Sequence, residues 1–326
     1  MAVMTYREAL NLALREEMRR DPRVFVMGEE VGLYEGAYRV TQGLLKEFGE
    51  KRVVDTPICE SGFTGVGVGA AMLGLRPVLE MMTFNFAILA LDQIVNTAAK
   101  MLYMSGGQYN IPLVVRGPGG PAAQLGAQHS QSMETYFYHV PGLKVVRPST
   151  PADAKGLLKS AIRDENPVIF IESETLYAVK GEVPDDPDFT IPLGQAIVRR
   201  EGTDVTVVAY MGMMYRAMEV AEELAREGMS VEIVDPRTLR PMDTQTIVSS
   251  VRKTHRAVVI EAGAGFAGMG SEILSFITEQ AFDDLDAPVE RVTGENAPMP
   301  YARNLELLKT PSKAKIAAAI RKVCNA

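Results

Sequence analysis

Fifteen consecutive uncharged residues, 61–75, contain five glycines and directly follow Glu60. A helix loses about 1 kcal/mol for each glycine that replaces alanine, so close packing or function must offset that cost. We predict that residues 55–86 form a strand, a turn at Glu60, a closely packed helix and a second strand. Burial among apolar neighbours favours the protonated form of a carboxyl, which makes Glu60 a candidate acid–base residue. A glutamate in a first helical turn also stabilises the helix dipole without any catalytic role, so the pattern alone leaves both interpretations open.

Short apolar runs alternate with helical patterns along the chain. A capping box of Thr5 and Glu8 predicts a helix that ends near Arg20, and Thr150 followed by Pro151 predicts the start of another. Continuous apolar strands joined by helices indicate a parallel sheet that is buried on both faces. The candidate strands are 23–28, 52–55, 76–81, 111–117, 143–148 and 167–172, and further helical segments are the Gly/Ala segment, 87–103 and 152–163.

A change of composition divides the chain. Residues 179–194 contain three prolines and clustered acids without periodicity, which is typical of a linker. We therefore predict a first α/β domain over 1–178 and a smaller α/β domain over 195–326, each a mainly parallel sheet flanked by helices. In the second domain, strands are predicted at 204–210, 230–235, 256–262 and 288–293, and helices at 215–227, 270–280 and 313–323.

Composition excludes several classes of protein. The net charge of −7 argues against a protein that binds nucleic-acid phosphates, and no apolar run is long enough to span a bilayer. The N-terminal residues lack the apolar core of a signal peptide. The two cysteines, Cys59 and Cys324, are too few for a metal quartet and indicate a reducing compartment. We expect a cytoplasmic enzyme subunit.

A glycine motif suggests a different function. Gly263, Gly265 and Gly268 form a G-x-G-x-x-G pattern after a strand and before a helix, where a dinucleotide fingerprint would lie. Only one further strand is predicted beyond it, which is too few for a complete dinucleotide fold. A tight glycine-rich turn therefore remains the favoured interpretation, and a nicotinamide-dependent oxidoreductase is the alternative.

The motifs together resemble one enzyme family over almost the whole chain. DTPICE with its Gly/Ala helix and LRPVLEMMTFNF, followed by RGPGG, AQHSQ and TLRPMD, resembles the beta subunit of the pyruvate dehydrogenase decarboxylase component. The resemblance implies a pyrimidine-binding thiamine-diphosphate domain and a transketolase C-terminal-type domain. It also implies oxidative decarboxylation of pyruvate and reductive acetylation of lipoyl groups.

Site residues follow from the same resemblance. Glu60 matches the glutamate that contacts the aminopyrimidine ring of thiamine diphosphate, and His129 matches a residue that acts in acyl transfer to lipoamide. Ile58, Met82 and Phe86 match positions that pack against the ring. A potassium ion held mainly by backbone oxygens is also implied. The matching positions for potassium are Leu113, Ala161, Ile162, Asp164 and Asn166.

The chain lacks the G-D-G motif that holds the Mg²⁺-bound pyrophosphate in related enzymes. The resemblance therefore implies that an alpha subunit binds Mg²⁺ and the pyrophosphate, in a heterotetramer with two copies of each chain. It also implies docking to a dihydrolipoyl acetyltransferase core. Two alternatives remain beside the nicotinamide enzyme: a branched-chain 2-oxo acid or acetoin dehydrogenase subunit, and a non-catalytic scaffold subunit.

Overall fold

A computed structural model describes residues 1–325, which form two compact units. The first unit comprises Met1–Gly119 and Tyr136–Leu193, and the second comprises Gly120–Thr135 and the chain from Gly194 onward. The predicted first domain, 1–178, included residues 120–135, which the structure groups with the second unit instead. Contacts between residues distant in the sequence produce this grouping, and no local pattern indicates them.

The first unit contains a parallel sheet. Six of its strands lie side by side in the order β6-β7-β5-β4-β2-β3, and all neighbouring pairs are parallel, as predicted. Strands β4, β5 and β7 are buried along their whole length, as expected for a sheet covered on both faces. The strands from the N-terminus to residue 183 are β1 (Ala2–Thr5), β2 (Val24–Gly28), β3 (Val53–Asp55), β4 (Arg76–Glu80), β5 (Val114–Pro118), β6 (Lys144–Val146), β7 (Val168–Glu172) and β8 (Lys180–Val183).

The predicted helix starts are confirmed. The side chain of Thr5 accepts the backbone N–H of Glu8, whose carboxylate accepts the N–H of Thr5, and Thr150 forms the same box with Asp153. The segment predicted as one helix over 87–103 instead passes through three helical forms. The 3₁₀ segment Phe84–Ala90 and the π-helical segment Asp92–Ala98 precede a short α-helix. The α-helices of this part of the chain are α1 (Tyr6–Arg20), α2 (Leu44–Phe48), α3 (Glu60–Met72), α4 (Ala99–Met104), α5 (Glu134–Tyr138) and α6 (Pro151–Arg163).

The segment predicted as a linker, 179–194, contains strand β8 in its first part. Strand β8 pairs antiparallel with β1, where Ala2 lies opposite Val183. The buried Nζ of Lys155 on α6 then donates to the carbonyls of Pro184 and Asp186 at 3.0 and 3.2 Å. Strand pairing and the hydrogen bonds from Lys155 therefore give this segment a defined structure, although its prolines and acids are typical of a linker.

The second unit contains a sheet in the order β14-β13-β10-β11-β9, in which only β9 is antiparallel to its neighbour. Val207 and Val208 on β10 are both fully buried, in separate apolar clusters on opposite faces of the sheet. This confirms the second α/β domain. The prediction missed β9, β12, α8 and α10. The strands are β9 (Ile197–Arg200), β10 (Val205–Ala209), β11 (Val231–Asp235), β12 (Thr238–Arg240), β13 (Ala257–Ala264) and β14 (Glu290–Gly294), and the helices are α7 (Gly212–Ala225), α8 (Thr244–Thr254), α9 (Met269–Ala281), α10 (Arg303–Lys309) and α11 (Lys313–Cys324).

Among residues 1–325, every helix is too short or too polar to cross a membrane.

Candidate active site

The polar site of the first unit lies where three adjacent parallel strands end. Glu29 directly follows β2, and Glu60 follows β3 after a short turn. Met82 lies two residues beyond β4, which pairs with the other side of β2. Because the carboxyl ends of parallel strands lie at one edge of a sheet, the topology brings these residues to the same edge. Ligands of open α/β sheets bind at this edge.

Glu60 is the first residue of α3 and is only 6% exposed. The turn that carries it is tied to β2, because the N–H of Thr56 donates to the carbonyl of Gly28 at 2.9 Å. The residue that precedes α3, Cys59, makes no side-chain capping bond. The unpaired N–H groups of a helix N-terminus favour a nearby carboxylate. The helix and the tied turn thus hold one carboxyl group in a fixed position at the edge of the sheet.

Glu29 is a second buried carboxyl group, which the sequence analysis missed. It is 6% exposed, and its Oε1 has no hydrogen-bond partner within residues 1–325. Burial and, to a smaller extent, the charge of Glu60 raise the pKa of Glu29. A charged residue immediately after a buried apolar strand was the available signal. The pair combines a carboxyl group that retains its proton to higher pH with a second acidic group near it.

The apolar residues predicted to contact a ring differ in exposure. Met82 and Phe86 are partly buried, whereas the side chain of Ile58 is 80% exposed. Phe86 lies in the 3₁₀ segment against which α3 packs. Phe86 and Met82 thus come from the same stretch of chain after β4, beside the helix that begins with Glu60. Their roles in binding stay predictions.

Glycine explains how closely α3 approaches the sheet. A Cβ at Gly67 would lie 2.8 Å from a methyl carbon of Leu79 on β4. Gly69 has open space at the same position, so the glycines of this helix do not share one purpose. Gly62, Val66, Gly69 and Leu73 are exposed and recur at helical spacing along α3 and its end. The Gly/Ala composition of α3 thus allows the helix to approach β4 closely and also leaves it an exposed face without charges.

His129 lies in the second unit, in a 3₁₀ turn over Ala127–His129. It is partly buried, and the neighbouring Ser130 is 6% exposed. The backbone N–H of Gly120 donates to the carbonyl of Gln131 at 2.8 Å and so closes the loop. The predicted catalytic residues Glu60 and His129 are therefore held by different units.

A carboxyl group of the chain itself lies beside the glycine-rich motif. Oε1 of Glu261 accepts the backbone N–H of Gly270 at 3.1 Å, near the start of α9. A Cβ at Gly268 would lie 2.5 Å from the same oxygen, and a Cβ at Gly265 would lie 2.7 Å from Thr293. In a dinucleotide fold this helix N-terminus would receive the pyrophosphate. Here a buried carboxyl group occupies it, which supports the tight-turn interpretation.

The predicted potassium positions lie together at the opposite, amino edge of the first sheet. Leu113 precedes β5, and residues 161–166 connect the end of α6 to β7. Nη1 of Arg76 donates to the carbonyls of Ile162 and Asp164 at 2.9 and 3.1 Å. A guanidinium group thus uses two of the oxygens that were predicted to bind the ion. A carbonyl oxygen has two lone pairs, so each retains one acceptor position.

Residues 1–325 contain no group of three or more His, Cys, Asp or Glu side chains arranged for a metal ion.

Two family models match the chain. The model for the pyrimidine-binding domain of transketolase matches residues 2–180, and the model for its C-terminal domain matches residues 194–316. A solved structure described as a split-gene transketolase, an inactive beta4 tetramer, covers 99% of this chain and 98% of its own, with a TM-score of 0.79 and 23% identity. That similarity concerns the fold. The fold and the models define a two-domain subunit of the transketolase type.

Curated relatives give the particular family. The pyruvate dehydrogenase E1 component subunit beta of Rhizobium meliloti is 58% identical over 99% of this chain and 70% of the relative. The protein of the same name from Rickettsia felis is 53% identical over 98% of both chains. A mitochondrial subunit beta-1 from Oryza sativa is 53% identical over 98% of this chain and 87% of the relative. The chain belongs to the family of beta subunits of the pyruvate dehydrogenase E1 component.

Proposed function

We propose that this chain provides the aminopyrimidine side of a thiamine-diphosphate site that oxidatively decarboxylates pyruvate and reductively acetylates lipoyl groups. The observation that carries the proposal is the buried carboxyl group of Glu60 at the carboxyl edge of the first sheet, beside the buried, unpaired Oε1 of Glu29. A buried acceptor without a partner is costly, and a ligand with polar ring atoms would lower that cost. The relatives carry the name of this enzyme component.

The residues present fit the pyrimidine part of the cofactor. When bound, thiamine diphosphate supplies the nucleophilic carbon and accepts the electrons released by decarboxylation. Glu60 would hold or transfer a proton at a ring nitrogen of the aminopyrimidine. Met82 and Phe86 would contact the faces of the ring, and Ile58 would lose its exposure on contact. His129 would position or protonate groups during acyl transfer.

An alpha subunit would complete the site. We assign Mg²⁺ and the pyrophosphate to that subunit, in an assembly with two copies of each chain. The exposed uncharged face of α3, which includes Val66 and Leu73, supports burial against another chain, since large exposed apolar patches mark interaction surfaces. We further propose that the assembly docks on a dihydrolipoyl acetyltransferase core. The free thiols of Cys59 and Cys324 fit a reducing compartment, and we propose the cytoplasm.

Replacement of Glu60 tests this function. In the component reconstituted with an alpha subunit, thiamine diphosphate and Mg²⁺, we expect Glu60→Gln to lower pyruvate turnover by about 10²–10⁴, the usual contribution of acid–base catalysis. Glu50→Gln is the matched control, because Glu50 is exposed. Turnover of Glu60→Gln within a few-fold of wild type would contradict the assignment. A decarboxylating beta subunit without any alpha subunit would contradict the shared site.

A monovalent cation at the amino edge of the first sheet is a separate proposal. Potassium would bind backbone oxygens near Ala161 and Asn166 and would share the carbonyls of Ile162 and Asp164 with Arg76. The role would be structural, because these residues lie at the opposite edge of the sheet from Glu60. We expect potassium to raise the unfolding temperature relative to choline at equal ionic strength. An unchanged temperature would indicate that Arg76 already satisfies these oxygens.

Experiments separate the alternatives. A panel of substrates on the reconstituted component would distinguish pyruvate from branched-chain 2-oxo acids and acetoin. Tight binding of NADH to this chain would support a nicotinamide enzyme, although Glu261 occupies the required helix N-terminus. Full activity after replacement of both Glu60 and His129 would support a non-catalytic scaffold.

A further inference from the structure

Two carboxylates of the second unit hold the loop that carries His129. Oε1 of Glu306 accepts the backbone N–H of Gln124 at 2.8 Å, five residues before His129. Glu134 lies five residues after His129, and its Oε1 accepts the hydroxyl of Tyr210 at 3.2 Å. The loop is therefore fixed on both sides of the histidine, and each anchor is an acidic side chain.

The anchor at Glu134 is incompletely satisfied. Glu134 is 3% exposed, and its Oε2 has no hydrogen-bond partner among residues 1–325. Removing a carboxylate oxygen from water without a replacement bond costs free energy. No hydrogen-bond donor among residues 1–325 therefore offsets a like charge placed near this oxygen.

The neighbouring charge is Glu261, which is 2% exposed. Burial, and to a smaller extent the charge of Glu134, raise the pKa of Glu261 to about 7. The backbone N–H of Gly270 and the charge of Arg291 act in the opposite direction and lower this pKa. Glu134 comes from α5 and Glu261 from β13. The groups around the pair are the backbone N–H groups of Met269 and Gly270 on α9, Arg291 on β14, and Tyr210 directly after β10. Gly263 also faces this loop, since a Cβ there would lie 3.1 Å from Ser132.

We propose that Glu134 and Glu261 are positioning residues for His129, and that a proton on the pair keeps the 120–135 loop in place. The proposal rests on the proposed function, because it assumes that His129 acts on the substrate. When Glu261 is neutral, no like charge repels Glu134, and the hydrogen bond from the hydroxyl of Tyr210 to Glu134 is maintained. When both groups are ionised, two buried like charges repel each other, and Glu134, as the first residue of α5, lies at the end of the loop that would move.

The sign of the pH dependence follows directly. As pH rises through about 7, Glu261 loses its proton. We therefore expect the loop to be fixed at lower pH and released at higher pH. One titrating group changes such an equilibrium by at most about tenfold per pH unit. The 120–135 loop should thus become mobile between pH 7 and pH 8.5.

Hydrogen–deuterium exchange on the component assembled with its alpha subunit tests this proposal. After correction for the intrinsic pH dependence of exchange, we expect amides of residues 124–134 to exchange several-fold faster at pH 8.5 than at pH 6.5. Glu261→Gln, which retains an oxygen for the N–H of Gly270, should abolish the difference and keep the loop protected at both pH values. Glu134→Gln should also abolish the pH difference.

Controls separate positioning from general destabilisation. Glu306→Gln weakens the other anchor and should speed exchange equally at both pH values, and the exposed Glu295→Gln should change nothing. In lipoyl acetylation, wild type should lose rate above pH 7, whereas Glu261→Gln should retain it. Equal exchange of wild type and Glu261→Gln at both pH values would overturn the proposal. Failure of the proposed function would give a different result. In that case His129 variants would remain active, while the exchange of the loop would still depend on pH.

Discussion

The carboxyl groups of Glu29 and Glu60 influence each other electrostatically at the carboxyl edge of one sheet, and the charge of Glu60 adds to burial in raising the pKa of Glu29. Strand β2 supplies the first group and helix α3 the second. Burial and a nearby acidic group, which raise carboxyl pKa values at many functional sites, thus act together on Glu29, on the same edge as partly buried Met82.

Glu29 should lower stability at high pH. The pKa of Glu29 is raised in the folded state. Its contribution to folding stability is therefore fully present below the unfolded-state pKa and is lost as pH rises through the folded-state pKa. We expect the free energy of unfolding of Glu29→Gln, minus that of wild type, to be larger at pH 8 than at pH 4, because only wild type loses stability as pH rises. Urea denaturation at both pH values measures this difference. A difference that does not change with pH, as expected for the exposed control Glu50→Gln, would contradict the prediction.

His129 should separate the two half-reactions. If it acts in acyl transfer, His129→Asn lowers lipoyl acetylation by about 10²–10⁴, while decarboxylation with an artificial electron acceptor changes far less. Rates of both reactions in the reconstituted component provide the measurement. The exposed His139→Asn is the control. Equal losses in both half-reactions would assign His129 a role before acyl transfer.

Gly67 should be required for packing, whereas Gly69 should not. A valine at Gly67 would force Leu79 to move, and we expect a loss of about 1–3 kcal/mol in the free energy of unfolding. Gly69→Ala meets no atom within 4 Å and should gain about 0.5–1 kcal/mol from its position within a helix. Urea unfolding curves of the two variants measure both changes. Similar effects at both positions would show that packing against β4 is not what Gly67 provides.

Gly268 should leave space for the carboxyl group of Glu261, not for a nucleotide. Gly268→Ala places a methyl group against Oε1 of Glu261, so we expect it to destabilise the second unit by about 1–3 kcal/mol. Gly212→Ala is the control, since a Cβ there meets nothing within 4 Å. Calorimetric unfolding measures the loss. If wild type binds NADH and Gly268→Ala does not, the motif is a nucleotide site after all.

Part of the geometry around Glu60 could be predicted from the sequence. The pattern predicted a turn and a helix start at Glu60, and α3 begins at that residue, whereas its catalytic role came from the resemblance and stays a prediction. Glu29 was missed because a single acid after a strand is common, and only its burial beside Glu60 distinguishes it. Glu134, Tyr210 and Glu261 were missed because they lie far apart in the sequence.

Local patterns determined the elements of this protein: apolar runs specify buried strands, capping boxes specify the starts of α1 and α6, and the glycines after Glu60 specify a closely packed helix. Tertiary structure alone decided which unit holds residues 120–135, the pairing of β8 with β1, and the burial of Glu29 and Glu261. The physical reason is that apolar patterns and helix caps depend on residues only a few positions apart in the sequence. Desolvation and charge–charge repulsion instead depend on which distant residues the fold brings together.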